Sequence, residues 1–306
     1  VNNMRWLAIP LSACLIFLTA CGSERAPSPS SPSGGETAPP QGSTTSLPEA
    51  EPGKAHGEQT EAGPPDPAHP EQAGEGGSSP PPAPSGESGG AAGPTAVTHY
   101  MTDSYRFRPI EPDGNDKVVL LTFDDGPKDE EMVRTMLSVL EKHEARAIFF
   151  VNGYRVKAKP ELLVSIYEKG HAIGNHSWDH ILLTKESEEE VHRQIEQVQL
   201  IVEELTGERP RFFRPPNGAG NDIVRQKAKD EGMLYMTWSN GSRDWEKGYQ
   251  TPESVVEQVL GQLHPGSNIL MHELPWTVEA LDTLLTELEN AGYVFLDPRS
   301  IRIDAE

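Results

Sequence analysis

Val118-Val119-Leu120-Leu121-Thr122-Phe123-Asp124-Asp125-Gly126-Pro127 is an apolar run that stops abruptly on two acids and a Gly-Pro turn. Residues 118–123 have the length and composition of a buried strand, and the Asp-Gly-Pro after them is good turn chemistry. Downstream, the period changes and changes back. Glu130–His143 carries Met132, Met136, Leu137 and Leu140 at helical spacing, and Ala147–Val151 is again a short apolar strand. The same rhythm predicts a helix over 160–168, a strand over 171–174, a strand over 211–214 and a helix over 222–231. A strand over 234–239, a helix over 252–263, a strand over 268–272, a helix over 278–291 and a strand over 294–296 complete it. Glu188–Leu205 is a long amphipathic helix with Val191, Ile195, Val198, Ile201 and Val202 on one stripe. Ser187 before it, with Glu190 three residues on, reads as a capping box. About seven strands alternating with helices give an α/β fold with a parallel sheet, expected as a distorted (β/α) barrel. An open doubly wound sheet would produce the same string.

In parallel α/β folds, functional residues gather where strands end and loops begin. Five of the seven strand ends carry ionisable residues: Asp124-Asp125, the 176–180 segment, Arg214, the 238–245 segment and His272. His176 and His180 are spaced by four, which on a helical turn places both rings on one face, ready to share a metal. Adjacent residues of an extended segment point different ways. One of Asp124 and Asp125 is therefore free to bind metal while the other faces the attacking water; a solvated Asp-Gly-Pro turn is the plain alternative. Two histidines and one aspartate leave positions open for water and substrate, the hydrolytic arrangement. His272 ends an apolar strand, either at the mouth of the sheet or as a core histidine. Arg214, followed by Pro215-Pro216, is a surface charge or the partner of the paired carboxylates, lowering their pKa and fixing their orientation. Trp178, Trp238, Trp245 and Trp276 lie in or near these loops, as sugar platforms or as packing.

Together these segments resemble the polysaccharide deacetylases, the NodB-like carbohydrate esterase family 4, over about residues 115–300. Thr122-Phe123-Asp124-Asp125-Gly126-Pro127, His176-Ser177-Trp178-Asp179-His180, Arg214-Pro215-Pro216 and Leu270-Met271-His272 match successive family motifs in order and spacing. The resemblance implies hydrolysis of N-acetyl groups on an amino-sugar polymer of the cell wall, with peptidoglycan foremost. It implies one divalent metal, usually zinc, with cobalt, nickel or manganese also accepted by such a site. Its ligands would be Asp125, His176 and His180. Asp124 would be the general base, His272 the general acid, and Arg214 the residue orienting Asp124. The backbone N–H of Asn217, after Pro216, would meet the developing oxyanion, with Trp245 and Leu270 also on the substrate side. Two positions depart from the family: Asn217 stands where Tyr is common, and Gly241 where Asp is common. Asp244 is then expected to tune His272. An O-acetyl polysaccharide esterase, or a non-catalytic sugar-binding protein on the same fold, are the competing readings.

The rest of the chain has a different composition. Residues 1–20 place Arg5 before an apolar run from Trp6 to Ala20, too short for a membrane span of about 20 residues and read as a signal peptide. Leu18-Thr19-Ala20-Cys21 resembles a bacterial lipobox, which implies lipidation at Cys21, a membrane anchor and an extracytoplasmic location. Residues 21–98 are rich in Pro, Gly, Ser and Glu, with no Phe, Trp or Tyr. Such a segment cannot bury enough apolar surface to offset its conformational entropy, and it is expected to be a disordered tether. Its reach lies between about 50 Å as a coil and about 240 Å fully extended. Gly86-Glu87-Ser88-Gly89-Gly90 matches the hydrolase pattern G-x-S-x-G, but a strand-to-helix turn has no place there. Residues 99–306 form the catalytic domain, expected as a monomer.

The full chain has 306 residues and a formal net charge of -21, of which -14 falls on residues 99–306. That acidity argues against a nucleic-acid partner, since phosphates are held by Lys and Arg. Two cysteines exclude a disulfide framework and a Cys-rich zinc module.

Overall fold

The computed structural model describes residues 95–303. The signal peptide, Cys21 and all but the last four residues of the tether lie outside the described residues. The chain enters through a hairpin, β1 (His99–Met101) and β2 (Phe107–Pro109), and continues into β3 (Val118–Gly126), α1 (Glu130–Lys142), β4 (Ala147–Val151), α2 (Gly153–Ala158) and α3 (Pro160–Glu168). Then come β5 (Ala172–Asn175), α4 (Glu188–Thr206), β6 (Phe212–Phe213), α5 (Asp222–Asp230), β7 (Leu234–Tyr235) and β8 (Asn240–Gly241). The order ends with α6 (Pro252–Gly261), β9 (Ser267–His272), α7 (Pro275–Asn290) and β10 (Val294–Phe295).

Every neighbour in the main sheet is parallel, in the order β7-β6-β5-β4-β3-β9-β8, with β10 paired to the start of β3. The expected strand over 234–239 is instead two short strands on opposite edges. Met236 N–H donates to Phe213 O at 2.9 Å, and Ser239 N–H donates to Asn268 O at 3.1 Å. Four residues thus cross from β6 to β9 and close the curl, which makes a distorted barrel rather than an open sheet.

Strand alternation sorts the two faces. Val119, Leu121 and Phe123, with Phe149, Val151, Ile269 and Met271, pack against α1, α3, α6 and α7. On the opposite face, Val118, Leu120, Ile148, Phe150, Phe212 and Met236 form a second core with Phe107, Leu296 and Ile301. Each large side chain so buried stabilises the fold by about 1.5–3 kcal/mol. That inner core fills the N-terminal half of the barrel. Thr122 and Asp124 continue its face toward the C-terminal end, where polar groups replace apolar ones.

One local expectation changes. Ser187 Oγ accepts the Glu190 N–H at 3.2 Å, but Glu190 turns its carboxylate to Arg193 and Gln194, so only half of the capping box forms. The hairpin and α2 carry too few periodic residues to be legible in sequence, and both position the site or its frame. Phe107 N–H donates to Gly266 O, Gly266 N–H to Val118 O, and Arg302 N–H to His99 O, all at 2.8–2.9 Å. Both ends of the described chain therefore lie at the strand N-termini, opposite the ends that carry the motifs.

Candidate active site

The site begins with a defect in β3. Asp124 pairs with Phe150 of β4, but Val151 pairs with Gly126, so Asp125 is an extra residue, with φ of 66°. A bulge of this kind re-aims a side chain. The two carboxylates were expected to diverge; instead both face the same imidazole. Asp124 Oδ2 lies 3.7 Å and Asp125 Oδ1 3.5 Å from His176 Nε2.

His176 and His180 come together without a helix. Asn175 Oδ1 accepts the Ser177 N–H at 3.0 Å, and Ser177 and His180 adopt φ of 66° and 55°. This side-chain turn competes successfully with a helical turn. The two rings are 5.0 Å apart, and His180 Nε2 lies 3.2 Å from Asp125 Oδ1. His176 is 2% exposed, and its Nδ1 lies 2.6 Å from Arg214 O. A carbonyl only accepts, so Nδ1 carries the proton and Nε2 turns its lone pair toward the acids.

The ligand atoms of Asp125, His176 and His180 all lie within 4.8 Å of one another. Asp125 Oδ1 is buried and has no hydrogen-bond partner, an orphaned acceptor facing two imidazole nitrogens. Burial alone would raise the Asp125 pKa, but His176, His180, His272 and Lys128 together hold it below the usual value. Burial pushes His176 down, toward the neutral form that a metal requires. Two imidazole nitrogens and one carboxylate so placed fit a divalent ion of the zinc type.

Arg214 is fully buried beside them and spans four acceptors. Nη1 donates to Asp124 Oδ1 at 2.6 Å and Thr122 Oγ1 at 2.8 Å; Nη2 donates to Thr237 O at 2.8 Å and Asn268 Oδ1 at 3.3 Å. Its guanidinium stacks 4.3 Å above the Phe150 ring. Burial lowers its pKa against the pull of Asp124, yet a guanidinium remains charged in a protein. Thr122 and Asn268 were not anticipated. The available signal was polarity at interior-facing positions of two otherwise apolar strands.

Asp244, also fully buried, occupies the other flank. Its Oδ1 lies 2.7 Å from His272 Nδ1, while Oδ2 accepts from His272 N at 2.8 Å and from Thr277 Oγ1 at 2.7 Å. Burial works against protonation of His272, but Asp244, then Asp124 and Asp125, outweigh it and raise its pKa. The acid beside His272 is thus supplied by Asp244, and the departure at Gly241 leaves that contact intact. Trp245 is 41% exposed, with its ring 5.2 Å from His272 in an edge-on arrangement.

The remaining candidates divide. Asn217 is exposed with φ of 58°, while the Gly218 and Ala219 amides close the turn onto Pro215 and Pro216. Pro216 is buried, and Leu270 is 2% exposed two residues before His272 on the same strand face. Trp178 is packing: a Cβ on Gly153 would collide with its ring. Trp276 serves structure as well, donating to Asp244 O at 2.9 Å.

A family model for polysaccharide deacetylases matches residues 111–236. The chain is 38% identical over 198 residues to the peptidoglycan-N-acetylglucosamine deacetylase PgdA of Listeria monocytogenes, an alignment covering 64% of this chain and 41% of that protein. It therefore spans well under half of that relative's length. A peptidoglycan-N-acetylglucosamine deacetylase of Bacillus cereus is 35% identical over 192 residues, covering 61% of this chain and 88% of the relative. Among solved structures, wild-type BA3943 of Bacillus anthracis, a pseudoenzyme, superposes with a TM-score of 0.58 at 30% identity, covering 63% of this chain and 68% of that one. With the strand-end constellation in place and a relative matched over most of its length, the chain belongs to the polysaccharide deacetylase family.

Proposed function

We propose that this protein is a metal-dependent hydrolase that removes N-acetyl groups from an amino-sugar polymer of the cell wall, with peptidoglycan as the first candidate. One observation carries the reading. Three metal-ligand atoms lie within 4.8 Å of one another, flanked by a carboxylate held by Arg214 and an imidazole held by Asp244. The similarity to a pseudoenzyme means that family membership alone does not decide activity; the side chains do.

Asp125, His176 and His180 would hold one divalent ion, with zinc favoured by the donor set and cobalt, nickel or manganese also compatible. Such an ion polarises the acetyl carbonyl and makes a water acidic near neutral pH. Asp124, oriented by its hydrogen bond from Arg214, accepts the proton of the attacking water. The Asn217 N–H is the donor assigned to the developing oxyanion, where a backbone donor is largely indifferent to its side chain. His272 gives its proton to the departing amine nitrogen, and Asp244 keeps that proton available. Pro216, Leu270 and Trp245 wall the substrate side.

The cellular setting belongs to the same proposal. A signal peptide, a lipid on Cys21 and a long tether would hold the enzyme outside the cytoplasm at the membrane. The described chain starts at the end of the barrel opposite the candidate site.

Acetate release from peptidoglycan, chitooligosaccharide and acetylated xylan, compared side by side with several metals, tests the reading. Release from the first two identifies an N-deacetylase, and release from xylan alone an O-acetyl esterase. No release with any metal, despite stoichiometric metal binding, would leave only the sugar-binding reading.

A further inference from the structure

Glu273 directly follows the proton donor and takes no part in the chemistry assigned to the site. It is 1% exposed. Leu274 N–H donates to His272 O at 2.9 Å, a tight turn that sends the side chains of His272 and Glu273 in different directions. His272 turns to Asp244. Glu273 reaches across to the segment after the β3 bulge, where its Oε1 accepts the backbone N–H groups of both Lys128 and Asp129, each at 2.7 Å. Its Oε2 is buried without a partner, and a Cβ added to Gly126 would lie 2.9 Å from it. Gly126 is thus the residue that lets the carboxylate approach.

The segment that Glu273 grips begins three residues after Asp125. Asp125 has a left-handed φ of 66°, which a side-chain-bearing residue keeps only where its surroundings over-determine it. One restraint is visible on the far side, where Asn152 N–H donates to Gly126 O at 3.1 Å and Asn152 Nδ2 donates to His176 O at 2.9 Å. Glu273 supplies the opposite restraint. Between them the bulge is fixed from both neighbouring strands, β4 and β9.

We infer that Glu273 is a positioning residue for the metal site: by clamping the Lys128 and Asp129 amides it holds Asp125 in its ligating orientation. It also ties the metal-ligating loop to the proton donor through one peptide bond. Burial raises the Glu273 pKa against the two amide hydrogen bonds, which favour the ionised form. Both amides meet the one oxygen Oε1, so an amide oxygen of the same reach can accept them in its place.

The inference rests on the proposed metal reading, and the test separates the two. Zinc affinity is measured by competition with a chromophoric chelator on the apo form of the full chain, for the parent, Glu273→Gln and Glu273→Asp. Thermal midpoints are recorded alongside. Glu273→Gln keeps the length and the acceptor and is expected to bind zinc as the parent does. Glu273→Asp is one methylene too short to reach both amides and is expected to bind roughly 10- to 100-fold more weakly, the range typical of groups that orient ligands. Parent-like affinity in Glu273→Asp overturns the inference, as does an equal loss in Glu273→Gln and Glu273→Asp. A parent that binds no zinc removes the metal reading itself.

Discussion

Asp244 holds His272 twice, through Nδ1 at 2.7 Å and through the backbone N–H at 2.8 Å. A single carboxylate so placed fixes both the ring and the chain that bears it. Because Asp244 is itself fully buried and bonded to Thr277, the pair has little freedom to rearrange.

The pH dependence of activity is set by that contact. Burial lowers the His272 pKa, but the hydrogen bond and charge of Asp244, together with the charges of Asp124 and Asp125, outweigh it and raise the pKa. As a proton donor, His272 must be protonated, so a raised pKa extends activity toward alkaline pH. Asp244→Asn is expected to move the alkaline limb of kcat/KM to lower pH and to reduce the rate by about 100-fold or more. The stability link has the matching sign. The raised pKa contributes stability that is fully present below the unfolded value of about 6.5 and is lost as pH rises through the folded value. An alkaline limb that stays in place in Asp244→Asn would assign the proton to another group.

Arg214 makes the second prediction. It bonds Asp124, Thr122, Thr237 and Asn268 from an interior with no water contact. Removing one partner of a buried pair leaves an uncompensated charge, at a cost of about 3–5 kcal/mol. Arg214→Met is expected to lower the urea-unfolding free energy by that amount, and adding Asp124→Asn to recover part of it. Equal losses in the single and double variants would mean that the pair is not coupled.

His171, far from the chemistry, sets an acid limit. It is 4% exposed and accepts the Ala147 N–H at 3.3 Å. Burial foremost, then the charges of Arg146 and Lys169, bring its pKa down to about 3. A depressed folded pKa gives stability that is complete above the unfolded value of about 6.5 and is lost progressively as pH falls toward the folded one. At pH 5 the loss from this residue alone is about 2 kcal/mol, from about 1.4 kcal/mol per pH unit. His171→Gln, which keeps an acceptor, is expected to remove that part of the difference between unfolding free energies at pH 7.5 and pH 5. The same pH dependence in parent and variant would place the acid limit elsewhere.

The elements that sequence reveals here are those with enough residues to show a period. The stripe of α4 and the apolar runs of β3, β4 and β9 are of that kind. β7 and β8 are two residues each, and their split is decided by hydrogen bonds to β6 and β9 rather than by anything local. The chemistry-bearing residues were readable because they sit at strand ends next to turn residues. The bulge at Asp125 was not, because it exists only relative to the register of β4. Nor was the geometry of His176 and His180, since a spacing of four looks the same on a helix and on a turn stabilised by Asn175. Glu273 gave one faint sign, an acid placed directly after an apolar strand.

Metal binding and catalysis are expected to separate at adjacent residues. Asp125 Oδ1 is the orphaned acceptor facing His180, whereas Asp124 Oδ1 is already committed to Arg214. Asn at position 124 can still accept from Arg214 but cannot take a proton from water. Asp124→Asn should therefore bind zinc as the parent does and lose acetate release by roughly 10²- to 10⁴-fold, while His176→Ala should lose both. Thermal melts give a readout independent of activity. Free metal at about 100 times its dissociation constant stabilises the folded state by about 2.7 kcal/mol. For a domain of this size that is a rise in Tm of roughly 5–10 °C. The rise is expected in the parent and in Asp124→Asn, is reversed by a chelator, and is absent in His176→Ala. If Asp124→Asn instead loses the metal-dependent rise and Asp125→Asn keeps it, the two aspartates have exchanged roles.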